Sequence, residues 1–160
     1  MNSGNIFEAK GALSGWREGS SNKGYVRFLT PALDEIIPKG HGSIGWSKQE
    51  AFLFEIDYLW TKNKIKFYCT ISPGNEKARA ILKPALMSVQ GATEPYGEKW
   101  LSFFITHEPF RIDDLSTDDD KKINEILDKL WPKITEIVKK VEEAILKVKD
   151  SLQEVNLIER

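Results

Sequence analysis

Glu55 and Asp57 are the residues whose type and spacing come nearest to chemistry. They stand two apart in an alternating run, so a strand would place both carboxylates on one face, where they could hold a divalent cation. Hydrolytic metal sites built on such a pair add a (D/E)xK triplet on the adjacent strand, whose lysine helps the attacking water. The next apolar run offers Lys64-Ile65-Lys66, with no acid at position 64. Glu8-Ala9-Lys10 and Asp119-Asp120-Lys121 fit the triplet, but the first lies in a Gly- and Ser-rich arm and the second at a helix start. Matches of three residues arise readily by chance, so no catalytic residue is assigned, and a degenerate metal-dependent nuclease using Glu55 and Asp57 stays a third reading behind the non-catalytic ones.

A second group suits an anion. Ser72, Gly74 and Asn75 open a helix whose first turns carry Lys77 and Arg79, and helix N-termini present unpaired N–H groups to phosphates or carboxylates. Arg27, Lys64 and Lys66 on neighbouring strands would extend this candidate anion or nucleic-acid site. The plainer alternative is that Asn75 caps the helix while the basic side chains are solvated or protect sheet edges. No GxxxxGK[ST] loop, GxSxG elbow, HExxH or EF-hand loop occurs. Cys69 falls mid-strand on the apolar side, as a buried inert thiol would, and His41 and His107 lack ligand spacing. Neither a metal site nor a cofactor is expected.

The elements that must position these residues follow from periodicity. Residues 1–24, with five Gly and four Ser, read as an irregular arm anchored by Ile6, Phe7, Leu13 and Trp16. Tyr25 to Leu29 alternates as a short strand, Thr30-Pro31 ends it, and Ala32 to Ile37 allows one helical turn. Phe52 to Trp60 and Ile65 to Ile71 form an aromatic hairpin. Turning at Lys62-Asn63, it would set Ile56 against Cys69, Phe54 against Ile71 and Glu55 against Thr70, with Asp57 diagonal to Lys66. A slip of one residue would expose one strand's apolar set. Asn75 then caps a helix that Pro84 interrupts, and Trp100 to Thr106 makes a further strand with Leu101, Phe103 and Ile105 inward.

From a cap at Thr117, helical pattern runs to about Leu157. Leu127, Leu130, Ile134, Ile137, Val141, Ala144 and Val148 keep four-three spacing, which makes Leu127, Leu130, Ile134, Ile137, Val141 and Val148 the candidate protein interface. Pro132 does not disturb the phase, so one kinked helix is expected. Straight, it would span roughly 60 Å, against a radius of gyration of about 15 Å for a compact chain of this length. It must bend round the core or project toward a partner. The expected fold class is α+β: a small antiparallel sheet with a packed helix and a long, kinked C-terminal helix. The chain divides into the arm, an α+β core at 25–112, and a helix at 113–160 that joins the same domain or serves as an oligomerisation element.

Composition excludes several classes. The 160 residues are 41% hydrophobic and carry 23 Lys+Arg against 24 Asp+Glu, with one Cys. Such a chain can fold as one ordinary domain without a disulfide or metal staple. Thirteen basic and 11 acidic residues precede Arg111, so even the more basic part lacks the strong positive charge of a typical nucleic-acid surface. No apolar run approaches the ~20 residues of a membrane span, and no secretory leader is evident. The expectation is a cytoplasmic protein with no membrane partner.

Four strings carry a resemblance to a known family: Tyr25-Val26-Arg27-Phe28-Leu29-Thr30-Pro31-Ala32-Leu33-Asp34, Gly45-Trp46, Phe54-Glu55-Ile56 and Ile71-Ser72-Pro73-Gly74. Over about residues 11–87 the chain resembles the C-terminal region of a bacterial and phage family of the PD-(D/E)XK nuclease superfamily. There a YxRF-x-TP segment precedes an aromatic hairpin ending in a GPG-like turn, where this chain has Ser72 for the first Gly. The family's catalytic acids and lysine lie upstream of this region, so none carries over. The resemblance implies a non-catalytic accessory domain without the nuclease core. The expected function is protein interaction that regulates or inhibits a nuclease or phage-defence complex, with a protein partner or self-association through the C-terminal helix. The alternative is a nucleic-acid-binding accessory domain using Arg27, Lys64, Lys66, Lys77 and Arg79, with Trp46 or Tyr68 stacking on bases.

Overall fold

Alternating side chains decide which faces of the strands are buried, and the strand at 52–57 buries both. A computed structural model of the protein describes residues 15–19, 25–40, 45–57, 64–95, 97–103, 110–111 and 120–158. Within them β1 (Arg17–Glu18), β2 (Tyr25–Leu29), β3 (Phe52–Asp57), β4 (Lys64–Ile71) and β5 (Leu101–Phe103) follow one another across an antiparallel sheet. A short β6 (Phe110–Arg111) pairs with the start of β4. Phe28, Phe54 and Cys69 face one another across β2, β3 and β4, as do Val26, Ile56 and Phe67, and all six lie in the core. The rings of Phe28 and Phe54 stack with centroids 5.3 Å apart, and those of Phe54 and Phe67 at 5.9 Å. The fold is α+β.

The β3–β4 register differs from the sequence expectation by two residues: Phe54 opposes Cys69, Ile56 opposes Phe67, and Phe52 opposes Ile71. A slip of two preserves side-chain parity, so the apolar set stays on one face. The hydrophobic pattern therefore excludes odd slips but does not distinguish even ones. On the polar face the slip has consequences, because Glu55 now opposes Tyr68 instead of Thr70, and Asp57 lies directly opposite Lys66.

Helix starts follow the local chemistry. Thr30 ends β2 and caps α1 (Pro31–Ile36), its Oγ1 accepting from the Leu33 N–H at 3.2 Å, with Pro31 at the first helical position. Asn75 caps α2 (Glu76–Met87), its Oδ1 accepting from the Ala78 N–H at 2.9 Å. Pro84 does not interrupt this helix as expected. It sits in the last turn, where the Ser88 N–H still bonds its carbonyl. The arm is also not wholly irregular: Arg17 and Glu18 pair with Leu29 and Phe28, and Trp16 stacks on Phe28 at 4.3 Å and 5°.

The C-terminal stretch is two helices, α3 (Asp120–Leu146) and α4 (Lys149–Ile158). Helix α3 runs through Pro132, and the break falls instead at Lys147–Val148, where the Val148 N–H bonds the Ile145 carbonyl in a tighter turn. This break lets α4 return to the core. Leu152 and Val155 are buried, and the Asn156 amide reaches the Ile36 carbonyl at the end of α1 at 3.5 Å. The four-three seam is correspondingly internal. Ile134, Ile137 and Val141 lie in the core, with Leu130, Ala144 and Val148 packed against it. They are thus not an exposed interface, because α3 lays this stripe along α1 and α2. The Leu127 side chain, the Thr117 cap, the arm anchors Ile6, Phe7 and Leu13, the turn at Lys62-Asn63, Trp60 and Ile105 lie outside the described residues. No described helix is long and apolar enough to cross a membrane.

If the seam is core, Ile134→Ala should lower the free energy of unfolding by about 2–5 kcal/mol. The shift should be the same in urea titrations at protein concentrations differing by a factor of fifty. A midpoint that rises with concentration would place the seam at an interface.

Candidate functional site

The face of the sheet opposite the core carries a row of polar side chains that pairing brings together from four strands. Arg27 on β2 opposes Glu55 on β3, and its Nε donates to Glu55 Oε1 at 2.6 Å. Thr70 on β4 donates its hydroxyl to Glu55 Oε2 at 3.1 Å, and Ser102 on β5 opposes Thr70 with its Oγ 3.2 Å from Thr70 Oγ1. Arg27 and Glu55 side chains are only 11% and 9% exposed, so this is a buried ion pair. Both carboxylate oxygens have a donor, as a buried charge requires.

Two tryptophans wall this row. The segment after Gly45 lays Trp46 over Arg27, whose guanidinium carbon sits 5.6 Å from the ring centroid. Trp46 and Trp100 meet at 4.9 Å between centroids and 57° between planes. Gly45 adopts φ +118°, and a Cβ there would come within 3.4 Å of the Pro73 carbonyl oxygen. Gly97 adopts φ +89°, and a Cβ there would clash with the Trp100 carbonyl oxygen. Each glycine thus permits the turn that sets one of the two tryptophans. Arg27, Gly45, Trp46, Glu55, Thr70, Trp100 and Ser102 line a cleft of about 280 Å³. Trp100 is 37% exposed at its rim and is the only large apolar side chain that far exposed among the described residues. Gly45 abuts Ser72 and Pro73, so the turn before α2 lies beside the cleft that Arg27, Trp46 and Glu55 share.

Burial holds the Glu55 carboxyl above the ordinary carboxylate range, with the nearby Asp57 charge adding to the rise and the bonds from Arg27 and Thr70 opposing it. Burial also pushes the Cys69 thiol far up, and the Glu55 charge adds to it, which leaves this thiol inert as a nucleophile. Among the described residues no group of three or more His, Cys, Asp or Glu could hold a metal ion. Glu55 and Asp57 do share a face, but Glu55 serves Arg27 and Thr70 instead of an open cation site.

The candidate anion site is not assembled as the sequence suggested. Arg79 is spent on backbone carbonyls, donating to those of Ser72, Glu98 and Lys99 at 2.9, 3.0 and 2.6 Å and tying the start of α2 to the segment before β5. Ser72 is buried and donates to the Glu50 carbonyl at 2.7 Å. Asn75 caps the helix, and its buried Nδ2 finds no acceptor among the described residues. Gly74 adopts φ +114° in the turn before it, and Lys77 is exposed on the first turn. Lys66 opposes Asp57, and the Lys64 side chain lies outside the described residues. Arg27 belongs instead to the tryptophan cleft. Thr70, Ser102 and Trp100 were not singled out from the sequence as members of one site. Parity places Thr70 and Ser102 on the polar face of their strands, but only pairing sets them beside Glu55.

Removing Arg27 leaves a buried carboxylate unpaired. Arg27→Met should cost about 3 kcal/mol of unfolding free energy at pH 7, and less as pH falls and the raised Glu55 carboxyl takes up a proton. In the native protein the raised carboxyl contributes stability that is fully present below its unfolded value, near 4.5. That contribution is lost as pH rises through the folded value, because the folded state binds the proton more tightly across that window. The stability of the native protein relative to Glu55→Gln should therefore fall as pH climbs from 4 through that window. Denaturant titrations of both proteins at each pH measure it.

Comparison of this chain with family models, with curated proteins and with solved structures finds no match to any of them.

Proposed function

We propose that the protein is a non-catalytic interaction domain that recognises a protein partner through the Trp46–Trp100 cleft. The single observation that carries this reading is the state of the cleft. An exposed tryptophan stands at its rim, its one cation is already neutralised by Glu55, and no side chain in it is free to act as nucleophile or metal ligand. Tryptophan and arginine at the centre of a partly enclosed patch are the residues that dominate protein–protein recognition. The resemblance to the C-terminal region of a PD-(D/E)XK nuclease family makes a nuclease or phage-defence complex the first partner to seek, with regulation or inhibition as the effect. On this reading the partner docks on the sheet and not on the heptad stripe of α3.

A nucleic-acid-binding accessory domain is the second reading, favoured by one observation: Arg27 and Trp46 do share the cleft, beside a second stacking ring. Against it, Arg27 is ion-paired and Arg79 is engaged with three carbonyls, so two of the five cations meant for a phosphate backbone already serve the fold.

Affinity purification of the tagged protein from its host, with and without nuclease, separates the readings. A stoichiometric protein should be retained after nuclease treatment and at ~200 mM salt, and Trp100→Ala should reduce its recovery about tenfold, the loss of one interface anchor. Nucleic acid alone, released as salt rises from ~50 to ~200 mM, would replace this reading with the second.

A further inference from the structure

Of the groups that donate to Glu55, only the hydroxyl can change direction. While the carboxyl is charged it can only accept, so Thr70 donates to Oε2 at 3.1 Å, and Ser102, 3.2 Å from Thr70 Oγ1, donates to Thr70 in turn. Arg27 Nε has no such freedom, because a guanidinium keeps its protons and only donates. Oε2 is therefore the oxygen that can take a proton, and when it does the row turns round: Glu55 donates to Thr70 and Thr70 to Ser102. No hydrogen bond in the row is lost, and Oε1 still accepts from Arg27. Ser102 is half-buried and lines the cleft, whereas Thr70 is buried, so the row has its outer end at Ser102.

We infer that Glu55, Thr70 and Ser102 form a reversible proton relay, through which the cleft takes up one proton in the folded protein and changes the charge of its floor. The step balances. Ser102 gains a proton from solvent and passes its own to Thr70, Thr70 passes its own to Glu55 Oε2, and one positive charge enters. The Arg27–Glu55 pair, formally neutral before, then carries a net positive charge beneath Trp46, whose ring centroid lies 5.6 Å from the guanidinium carbon. The groups around Glu55 are compatible with this uptake. Arg27 faces it from β2 and Tyr68 opposes it from β4. Asp57, two residues along β3, stands between Tyr25 and Lys66 in the ladder, and its charge favours the proton, as burial does. The Cys69 thiol stays protonated. Among the described residues the cover adds Gly45, Trp46 and Trp100 to the lining, none of them charged. As regulation of partner binding the relay rests on the protein-interaction reading above; the proton uptake itself does not.

The test uses the whole protein, labelled with ¹³C and ¹⁵N, and follows the Glu55 carboxyl carbon and the Trp100 indole N–H from about pH 8 to about pH 4. Glu55→Gln and Trp100→Phe identify the two signals. The Trp16 indole, stacked on Phe28 in the core, reports whether the fold persists. The Glu55 and Trp100 signals are expected to titrate together with Trp16 unmoved. Glu55→Gln, whose amide can accept from Arg27 and donate to Thr70 as the protonated acid does, should hold the Trp100 resonance at the acid end point already at neutral pH. Ser102→Val removes the acceptor that Thr70 needs once Glu55 is protonated. It should weaken proton binding at Glu55 roughly tenfold, the scale of one unsatisfied buried donor. Added apolar bulk alone would strengthen proton binding by desolvation, so the sign separates a relay from packing. A Glu55 carbon that titrates only as Trp16 moves, a Trp100 resonance that ignores the proton, or unchanged or stronger proton binding in Ser102→Val would each overturn the inference. The native titration decides even if a variant fails to fold. A partner retained through Trp100 in the affinity experiment would leave the interaction reading standing without the relay, and its absence would leave the relay standing without that reading.

Discussion

Burying a carboxylate on the central strand of a sheet is the constraint from which much of this structure follows. Glu55 lies on β3, a strand with all six residues buried, so its charge is largely withdrawn from solvent. It needs a cation and a second donor at fixed positions, and it obtains them from the strands on either side, Arg27 from β2 and Thr70 from β4. A pair of this kind adds little net stability compared with apolar residues of the same shape, but a one-sided loss is costly. Its effect is to tie three strands in one register.

The same pair organises what covers it. The Arg27 guanidinium is planar, and Trp46 packs against it, drawing the segment after Gly45 across the polar face of the sheet. Trp100 then leans on Trp46, and Arg79 holds the approach to β5 by bonding the carbonyls of Glu98 and Lys99. A buried ion pair, an aromatic lid and a pinned loop thus share one cause. The cleft is what remains between them, and it is polar at the floor because the sheet is, aromatic at the rim because tryptophan is what can cover a guanidinium.

On the other face the logic is plain burial. The aromatic rings of β2, β3 and β4 stack beneath Trp16 and Trp131, and α3 lays its apolar stripe into the remaining surface. A straight helix over the whole C-terminal stretch would overrun a core of this size. The tight turn at Lys147–Val148 redirects the chain so that Leu152 and Val155 are buried as well. A stripe with coiled-coil spacing here serves packing within one chain, since the same spacing suits any helix lying along an apolar surface.

Much of this was legible in the residues themselves. Alternation identified β2, β3 and β4, Thr30-Pro31 marked the end of β2 and Asn75 a helix start, and the four-three stripe located α3, because these signals are local and act within a few residues. The parity of the hairpin was legible too, since an odd slip would expose the aromatic set. Its register was not, because slips of two bury the same face, and hydrophobic pattern carries no information to choose between them. Hence Glu55 was matched with Thr70, whereas pairing sets it against Tyr68 and between Arg27 and Thr70. The Gly-rich arm hid β1, because its pairing comes from a partner strand and not from its own composition. Sequence by itself determined the α+β class, the apolar face and the candidate list of polar residues. Tertiary structure alone decided which of those residues meet. It turned Arg79 to backbone carbonyls and Arg27 to Glu55, because contacts between strands depend on register and on loops far apart in the chain.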